Sequence, residues 1–374
     1  MSKYEKVCFV SMDNLNRVPY IEKYIEWLNA PFDVIYWDRS GINDSVGETH
    51  SFRYEKPIKA AKDGANKLQK LFGYIGFRKF ASRILENADY RLVFTLTGNC
   101  AVLLSKPLLS KYRGHFVIDI RDYWHEDFAP YHNREQQLIK ESALAVISSP
   151  AYTGFLCDYD YLIMHNDQSI DSELIAKYRL KNTCSNPFVI SCIGAMKNPE
   201  YDKKVIDYFA NDNRFLLKFI GRGYDLLQDY VSSIGANNVY LQGAFPMAET
   251  MRYYEDADAI LNMYGNHTPY FDYALSNKLY FAARLALPIL VCPDTAMERY
   301  STDNGFGITV DLEDCSCKDA ILASYSPEAI CRRLSGSESF LKQVEIDNLQ
   351  TRESVSRVLF EAIAQYENFN RNIT

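Results

Sequence analysis

Two short segments of the chain put cations where a phosphate-type anion could be held. Gly221-Arg222-Gly223 ends an apolar run from Phe215 to Ile220. Two glycines let the backbone approach a phosphate closely, and a guanidinium offers it two parallel N–H donors. Ser276-Asn277-Lys278 opens a stretch in which Leu279, Ala282, Ala283 and Ala286 recur at helical spacing. Pro288 ends that helix, and Ile289 to Val291 follows as a buried strand. Ser276 or Asn277 suits the N-cap, which puts Lys278 in a first turn whose N–H groups and dipole favour an anion. A cation there, facing a cleft, suits a diphosphate. A tight turn with an exposed arginine and a capped helix with a solvated lysine explain the same residues without a ligand. The ligand reading gains weight if Arg222 and Lys278 come from neighbouring strand ends of one sheet.

A third segment, Asp119-Ile120-Arg121-Asp122-Tyr123-Trp124-His125-Glu126, is the most polar and aromatic strand end of the N-terminal half. Asp122 and His125 lie three residues apart, and a carboxylate and an imidazole so placed can offer a general base to a hydroxyl. The structural alternative pairs Asp119 or Asp122 with Arg121 or Arg113 to fix the loop, and Asp119 falls on that side.

These segments need strands to carry them. Apolar runs at Val7 to Ser11, Phe32 to Trp37, Arg91 to Leu96, His115 to Ile120, Ala143 to Ser148 and Tyr161 to Met164 alternate with helical stretches such as Pro19 to Leu28. A second series follows at Phe188 to Ile193, Phe215 to Ile220, Val239 to Leu241, Ala259 to Met263, Ile289 to Val291 and Gly305 to Val310. Such alternation implies parallel sheets covered by helices on both faces, with ligands beyond the carboxyl ends of the strands. The length of 374 residues suits two domains. We expect the first over 1–180, the second over 187–349, and a closing helix over 350–374. Residues 40–55 read as a mobile loop, and 167–186 as the connector.

The segment ALSNKLYFAARLALPILV resembles the donor-binding stretch of GT-B fold glycosyltransferases, commonly PxKxFEYxAxGxPVI. Lys278, Leu279, Ala282 and Pro288 fall where that pattern expects them. The D-x-R-D-x-W element at Asp119 to Trp124 resembles a feature of the acceptor domain, and the order of elements matches along most of the chain. The resemblance is to the family 4-like type that builds capsule, exopolysaccharide or O-antigen. It implies two Rossmann-like domains, an N-terminal one for the acceptor and a C-terminal one for the nucleotide sugar, most often UDP-linked. Gly221, Arg222, Gly223, Phe245, Tyr273, Ser276, Asn277 and Lys278 would then bind the donor, with Phe245 beside the base. Asp122 and His125 are the candidate catalytic pair, and the final helix would brace the first domain. Phe281 and Tyr273 stand where the family usually has glutamates. That departure leaves room for a catalytically silent nucleotide-binding subunit, and the fold also serves nucleotide-sugar epimerases. Cations and a helix N-terminus answer the diphosphate, so no metal and no cofactor is expected.

The formal net charge of −7 argues against a general nucleic-acid binder. Nine cysteines lack a metal spacing and suit a reducing cytoplasm. The N-terminus reads as a first strand, not a signal peptide, and no apolar run approaches a membrane span. Lys56 to Arg83 stands apart, with eight cations against the single acid Asp63 and Leu71, Phe72, Ile75 and Phe80 interleaved. A basic, aromatic helix of this kind can lie on an anionic membrane surface, where a lipid-linked acceptor would be met. The alternative is a solvated helix face.

Overall fold

The computed structural model describes residues 6–28, 30–41, 44–55, 67–168, 170–179 and 181–371. The chain divides into two compact units, 1–165 with 346–374, and 166–345. The division falls earlier than the expected boundary at 180. The expected connector contains a helix, Ser172–Arg179, that is bonded into the second unit. Its Arg179 guanidinium donates to the Arg284 carbonyl and pairs with Glu338, and the Tyr178 hydroxyl donates to the Met251 carbonyl.

The first unit is built on seven strands: β1 (Val7–Ser11), β2 (Phe32–Trp37), β3 (His50–Tyr54), β4 (Leu92–Thr95), β5 (Phe116–Ile120), β6 (Leu144–Ile147) and β7 (Leu162–Ile163). Their order is β3-β2-β1-β4-β5-β6-β7, and the pairings are parallel. β3 corrects the expected loop over 40–55. It pairs with β2 from Asp33–His50 to Trp37–Tyr54. Its sequence HSFRY lies half-exposed at the sheet edge, so it lacks the apolar run that marks the inner strands. The core joins Phe9, Tyr24, Val34, Phe94 and Val117 to Val355 and Leu359 of the last helix.

The second unit holds β8 (Phe188–Ile193), β9 (Phe215–Ile220), β10 (Val239–Gln242), β11 (Ala259–Asn262), β12 (Ile289–Val291) and β13 (Gly307–Thr309). They are parallel, in the order β10-β9-β8-β11-β12-β13. Phe188, Ile190 and Cys192 alternate onto one face of β8 and join Val205, Phe209, Leu217, Phe219 and Leu261 in the core. In each sheet the chain reverses its winding direction beside the first strand, between β1 and β4 and between β8 and β11. Such a reversal opens a crevice at the carboxyl ends, where ligands of these folds bind. The last helix runs over Pro327–Arg371 and so begins well before the expected start at 350. Its residues to 345 belong to the second unit and those from 346 to the first.

Candidate functional site

At the carboxyl edge of the second sheet, β8 runs into Gly194 and β9 into Gly221-Arg222-Gly223. Gly194, Gly221 and Gly223 hold φ of 128°, 142° and 97°, a region side chains disfavour. A Cβ on Gly221 would stand 1.7 Å from the Gly194 carbonyl oxygen, so the two turns touch backbone to backbone. The Gly194 N–H donates to Ile220 and the Gly221 N–H to Gln242, which extends the ladder to the rim. Arg222 is exposed. Among the described residues its guanidinium makes no hydrogen bond or ion pair, while its carbonyl accepts from the Met196 N–H.

The helix expected after Ser276 runs over Asn277–Leu285. Ser276 is the N-cap, and its hydroxyl accepts from the Lys278 N–H at 3.2 Å. Asn277 is exposed and Tyr273 half-buried. Phe245, after β10, is half-buried with its ring 4.6 Å from that of Tyr253. Phe281 packs on Tyr254 at 5.6 Å, an apolar contact where the resemblance would place an acid.

Lys278 lies differently from the solvent-facing cation expected of it. The residue is 5% exposed and its ammonium turns inward. It donates to the Leu261 carbonyl and to Cys192 Sγ, each at 3.0 Å, and stands 5.1 Å from the centre of the Tyr264 ring. Its ammonium therefore bridges β8 and β11. Burial would push its pKa down, but the Cys192 sulfur and the Tyr264 and Tyr254 oxygens outweigh that and hold it well above the ordinary value. The Tyr224 hydroxyl is 3.0 Å from Cys192 Sγ, and Asp202 lies in the first turn of the helix Pro199–Phe209. Asp202 is 1% exposed, and its Oδ2 has no hydrogen-bond partner. Burial pushes its pKa up to about 7, against the pull of Lys278. Sequence spacing did not single out Asp202; only its place in a first turn after the Asn198 cap could have drawn notice. The Asn198 side chain both caps that helix and donates to the Tyr264 carbonyl at 2.9 Å, which ties the β8 and β11 loops together.

At the carboxyl edge of the first sheet, Asp119 and Arg121 form a buried pair at 2.6 Å. Asp119 accepts from the Tyr24 hydroxyl, and Arg121 donates to the Met164 carbonyl and lies over the Tyr20 ring at 4.0 Å. The pair fixes the loop, as expected for Asp119. Asp122, Trp124 and His125 are exposed beyond it. The His125 ring is 5.7 Å from Trp124 and 5.9 Å from Tyr131.

Two buried acids behind this loop carry no sequence signature. Glu126 accepts from the Trp124 N–H at 2.6 Å, and burial raises its pKa. Glu135, on the helix Ala129–Glu141, is fully buried. Burial, and then the charge of Glu126, push it up to about 8. Of the two Asp-x-Asp pairs, Asp158/Asp160 is exposed, and Asp256/Asp258 has its second acid bound into the scaffold, where Asp258 accepts from the Ser185 and Val189 N–H groups and pairs with Lys181. Among the described residues no cluster of three or more metal-ligating side chains occurs.

Two parallel α/β sheets wound in this way are the fold of the GT-B glycosyltransferases. The chain is similar to Anabaena HepE in complex with UDP and glucose, with a TM-score of 0.65, 13% identity, 94% of this chain and 99% of that one covered. It is similar to WaaG, a glycosyltransferase involved in lipopolysaccharide biosynthesis, with a TM-score of 0.61, 14% identity and coverages of 94% and 99%. It is also similar to sucrose-phosphate synthase from Thermosynechococcus elongatus, with a TM-score of 0.63, 9% identity and 98% of each chain covered. No protein-family model matches the chain, and no curated protein sequence does.

Proposed function

We propose that this chain transfers a glycosyl group from a nucleotide sugar, UDP-linked, to a glycan or lipid-linked acceptor in surface polysaccharide synthesis. The observation that carries the reading is the pair of touching glycine turns at Gly194 and Gly221–Gly223, with Arg222 exposed between the glycines, at the crevice of a fold shared with HepE, a protein seen with UDP. The diphosphate would lie on Arg222, the Gly223 backbone and the N-terminus capped by Ser276, with Asn277 beside it. Lys278 would act through its charge, and Tyr273 and Phe245 would flank sugar and base. These groups stabilise the charge that grows on the leaving diphosphate without calling on a metal. In the first unit, Asp122 and His125 are the exposed groups able to take a proton from an acceptor hydroxyl.

A basic, apolar face on the helix Lys67–Asn87 supports a site of action at the cytoplasmic face of a membrane. Leu71, Phe72 and Ile75 are exposed there beside Lys70, Arg78, Lys79 and Arg83. The basic stretch read from 56 to 66 lies outside the described residues. No helix of the described residues is long and apolar enough to cross a membrane.

Calorimetric titration with UDP tests the donor site. Arg222→Ala should weaken binding by roughly tenfold or more, the loss of one charged hydrogen-bonding partner of a phosphate. Unchanged affinity would remove the assignment. A second reading, a silent nucleotide-binding subunit, is favoured by the apolar Phe281–Tyr254 contact. UDP binding with no UDP released from any nucleotide sugar in the presence of glycan acceptors would select it.

A further inference from the structure

The first unit carries a cavity at the opposite sheet edge from Asp122 and His125. Leu144 and Leu162 are the first residues of β6 and β7, so the space of about 570 Å³ that they line opens at the amino edge of the sheet. β7 closes the strand order, and the last helix is tied to it where the Thr351 hydroxyl donates to the Ile163 carbonyl at 2.7 Å. Val355 and Leu359 of that helix join the core. Ser354 and Arg357, three residues apart on the helix, line the cavity. The segment before β7 supplies the rest of the wall with Asp158, Tyr159 and Asp160. The Tyr159 ring lies 5.5 Å from that of Tyr161, whose hydroxyl donates to the Cys157 carbonyl at 2.7 Å.

Five polar side chains thus border one space with their polar groups unspent. Asp158, Asp160 and Arg357 are exposed, and Tyr159 and Ser354 are half-buried. Among the described residues none of these five side chains makes a hydrogen bond or an ion pair, and Arg357 pairs with neither aspartate of its own cavity. Two carboxylates accept, a guanidinium donates, and two hydroxyls do both. The mixture suits no simple ion, because the guanidinium opposes a metal ion or an amine and the carboxylates oppose a phosphate. A neutral ligand rich in hydroxyls uses all five, since each of its hydroxyls gives and takes a hydrogen bond. The Tyr159 ring and the two leucines add apolar surface for the C–H face of a sugar ring. The volume falls within the range of about 300–1,000 Å³ usual for ligand pockets. We propose that this cavity is an accessory glycan-binding site, which holds a neutral oligosaccharide segment by Tyr159, Arg357 and the Asp158/Asp160 pair, away from the reacting groups. It does not depend on the donor site, because all its residues belong to the first unit. In a transferase that acts on glycans, it keeps a product chain attached between transfers.

Affinity electrophoresis of the full chain through gels carrying a neutral glucan, mannan or galactan tests the site. The wild type should be retarded in at least one of the three. Tyr159→Ala and Arg357→Ala change side chains at the protein surface, so melting should stay unchanged, while the dissociation constant for that polysaccharide should rise about tenfold or more. Asp122→Ala should be retarded like the wild type, and Tyr159→Ala should bind UDP like the wild type, which separates this site from the transfer site. Retardation in none of the gels, or equal retardation of the wild type and both cavity variants, overturns the glycan site and leaves the donor site to its own titration. Retardation lost in Asp122→Ala and kept in the cavity variants overturns it too, by assigning the glycan to the carboxyl edge of the sheet. Calcium binding in calorimetry that Asp160→Asn abolishes would give the cavity to a cation instead.

Discussion

Replacing Glu135 by glutamine should stabilise the first unit, and by more as the pH rises. Glu135 has no exposed surface, and its Oε2 has no hydrogen-bond partner. Its Oε1 receives a long bond of 3.4 Å from the Tyr131 hydroxyl and lies 2.5 Å from where a Cβ on Gly98 would be. The pocket thus has room for the carboxyl only because residue 98 is glycine, and it supplies little to hold a charge. The pKa rises from the ordinary 4.5 to about 8. Below 4.5 the folded and unfolded chains both carry the proton. Between 4.5 and 8 the unfolded chain releases it while the folded chain keeps it, so stability falls across that window and levels off above it. A displacement of this size is worth at most ~5 kcal/mol, from about 1.4 kcal/mol per unit, against a total of roughly 5–15 kcal/mol for a typical domain.

Glutamine keeps the shape of the protonated form and never ionises. The advantage of Glu135→Gln should be about 2 kcal/mol at pH 6 and should grow by roughly 3 kcal/mol more by pH 8.5. Urea unfolding followed by tryptophan fluorescence reads the right part of the molecule, because Trp27, Trp37 and Trp124 are the three tryptophans of the chain and all belong to the first unit. A gap that stays constant with pH, or a variant less stable than the wild type at pH 8.5, would refute the assignment of a buried, reluctantly ionised acid.

Two further outcomes follow from contacts. Gly221→Ala puts a methyl group 1.7 Å from the Gly194 carbonyl oxygen at a φ of 142°. It should cost several kcal/mol and abolish UDP binding together with a fall in melting temperature, whereas Arg222→Ala should lose affinity with melting unchanged. The double change Leu71→Asp, Phe72→Asp alters side chains that are 52% and 68% exposed. It should leave melting within about 0.5 kcal/mol of the wild type and abolish co-sedimentation with anionic vesicles at low salt. Equal sedimentation of variant and wild type would assign that face to solvent.

The inner strands were legible because strands buried on both faces read as unbroken apolar runs, VCFV in β1 and FVISCI in β8. The same rule hid β3, whose HSFRY is polar at the sheet edge. It also hid the helix Ala129–Glu141, where only Glu135, Leu138 and Ile139 are buried and the pattern has no apolar stripe. Ser276 was found as one of two possible caps, since N-cap chemistry is local. The direction of Lys278 was not legible. A lysine in a first turn looks the same in sequence whether it points to solvent or to the sheet, and what turns it inward are Cys192 and Leu261, many residues away. Glu126 and Glu135 carry no signal for the same reason: their burial is set by packing against Gly98 and Trp124, which no spacing records.

The inward turn of Lys278 changes where the burden of a bound diphosphate must fall. Of the two cations that the sequence assigned to it, Arg222 alone is exposed. Direct contact would therefore come from one guanidinium and from N–H groups, while Lys278 would contribute only the field of its buried charge. That division has a physical advantage. A flexible surface lysine would have to be ordered on binding, at a cost of about 1–2 kcal/mol in side-chain entropy. A lysine already held at 3.0 Å by Leu261 and Cys192 incurs none of it. The same tie, with Asn198 joined to the Tyr264 carbonyl and Gly194 pressed on Gly221, fixes the β8, β9 and β11 turns to one another before any ligand arrives, and donors fixed in advance need no reorganisation when charge develops. In this chain the lysine is best understood as part of the sheet's carboxyl rim, and the specificity of the site must be sought in the exposed residues above it.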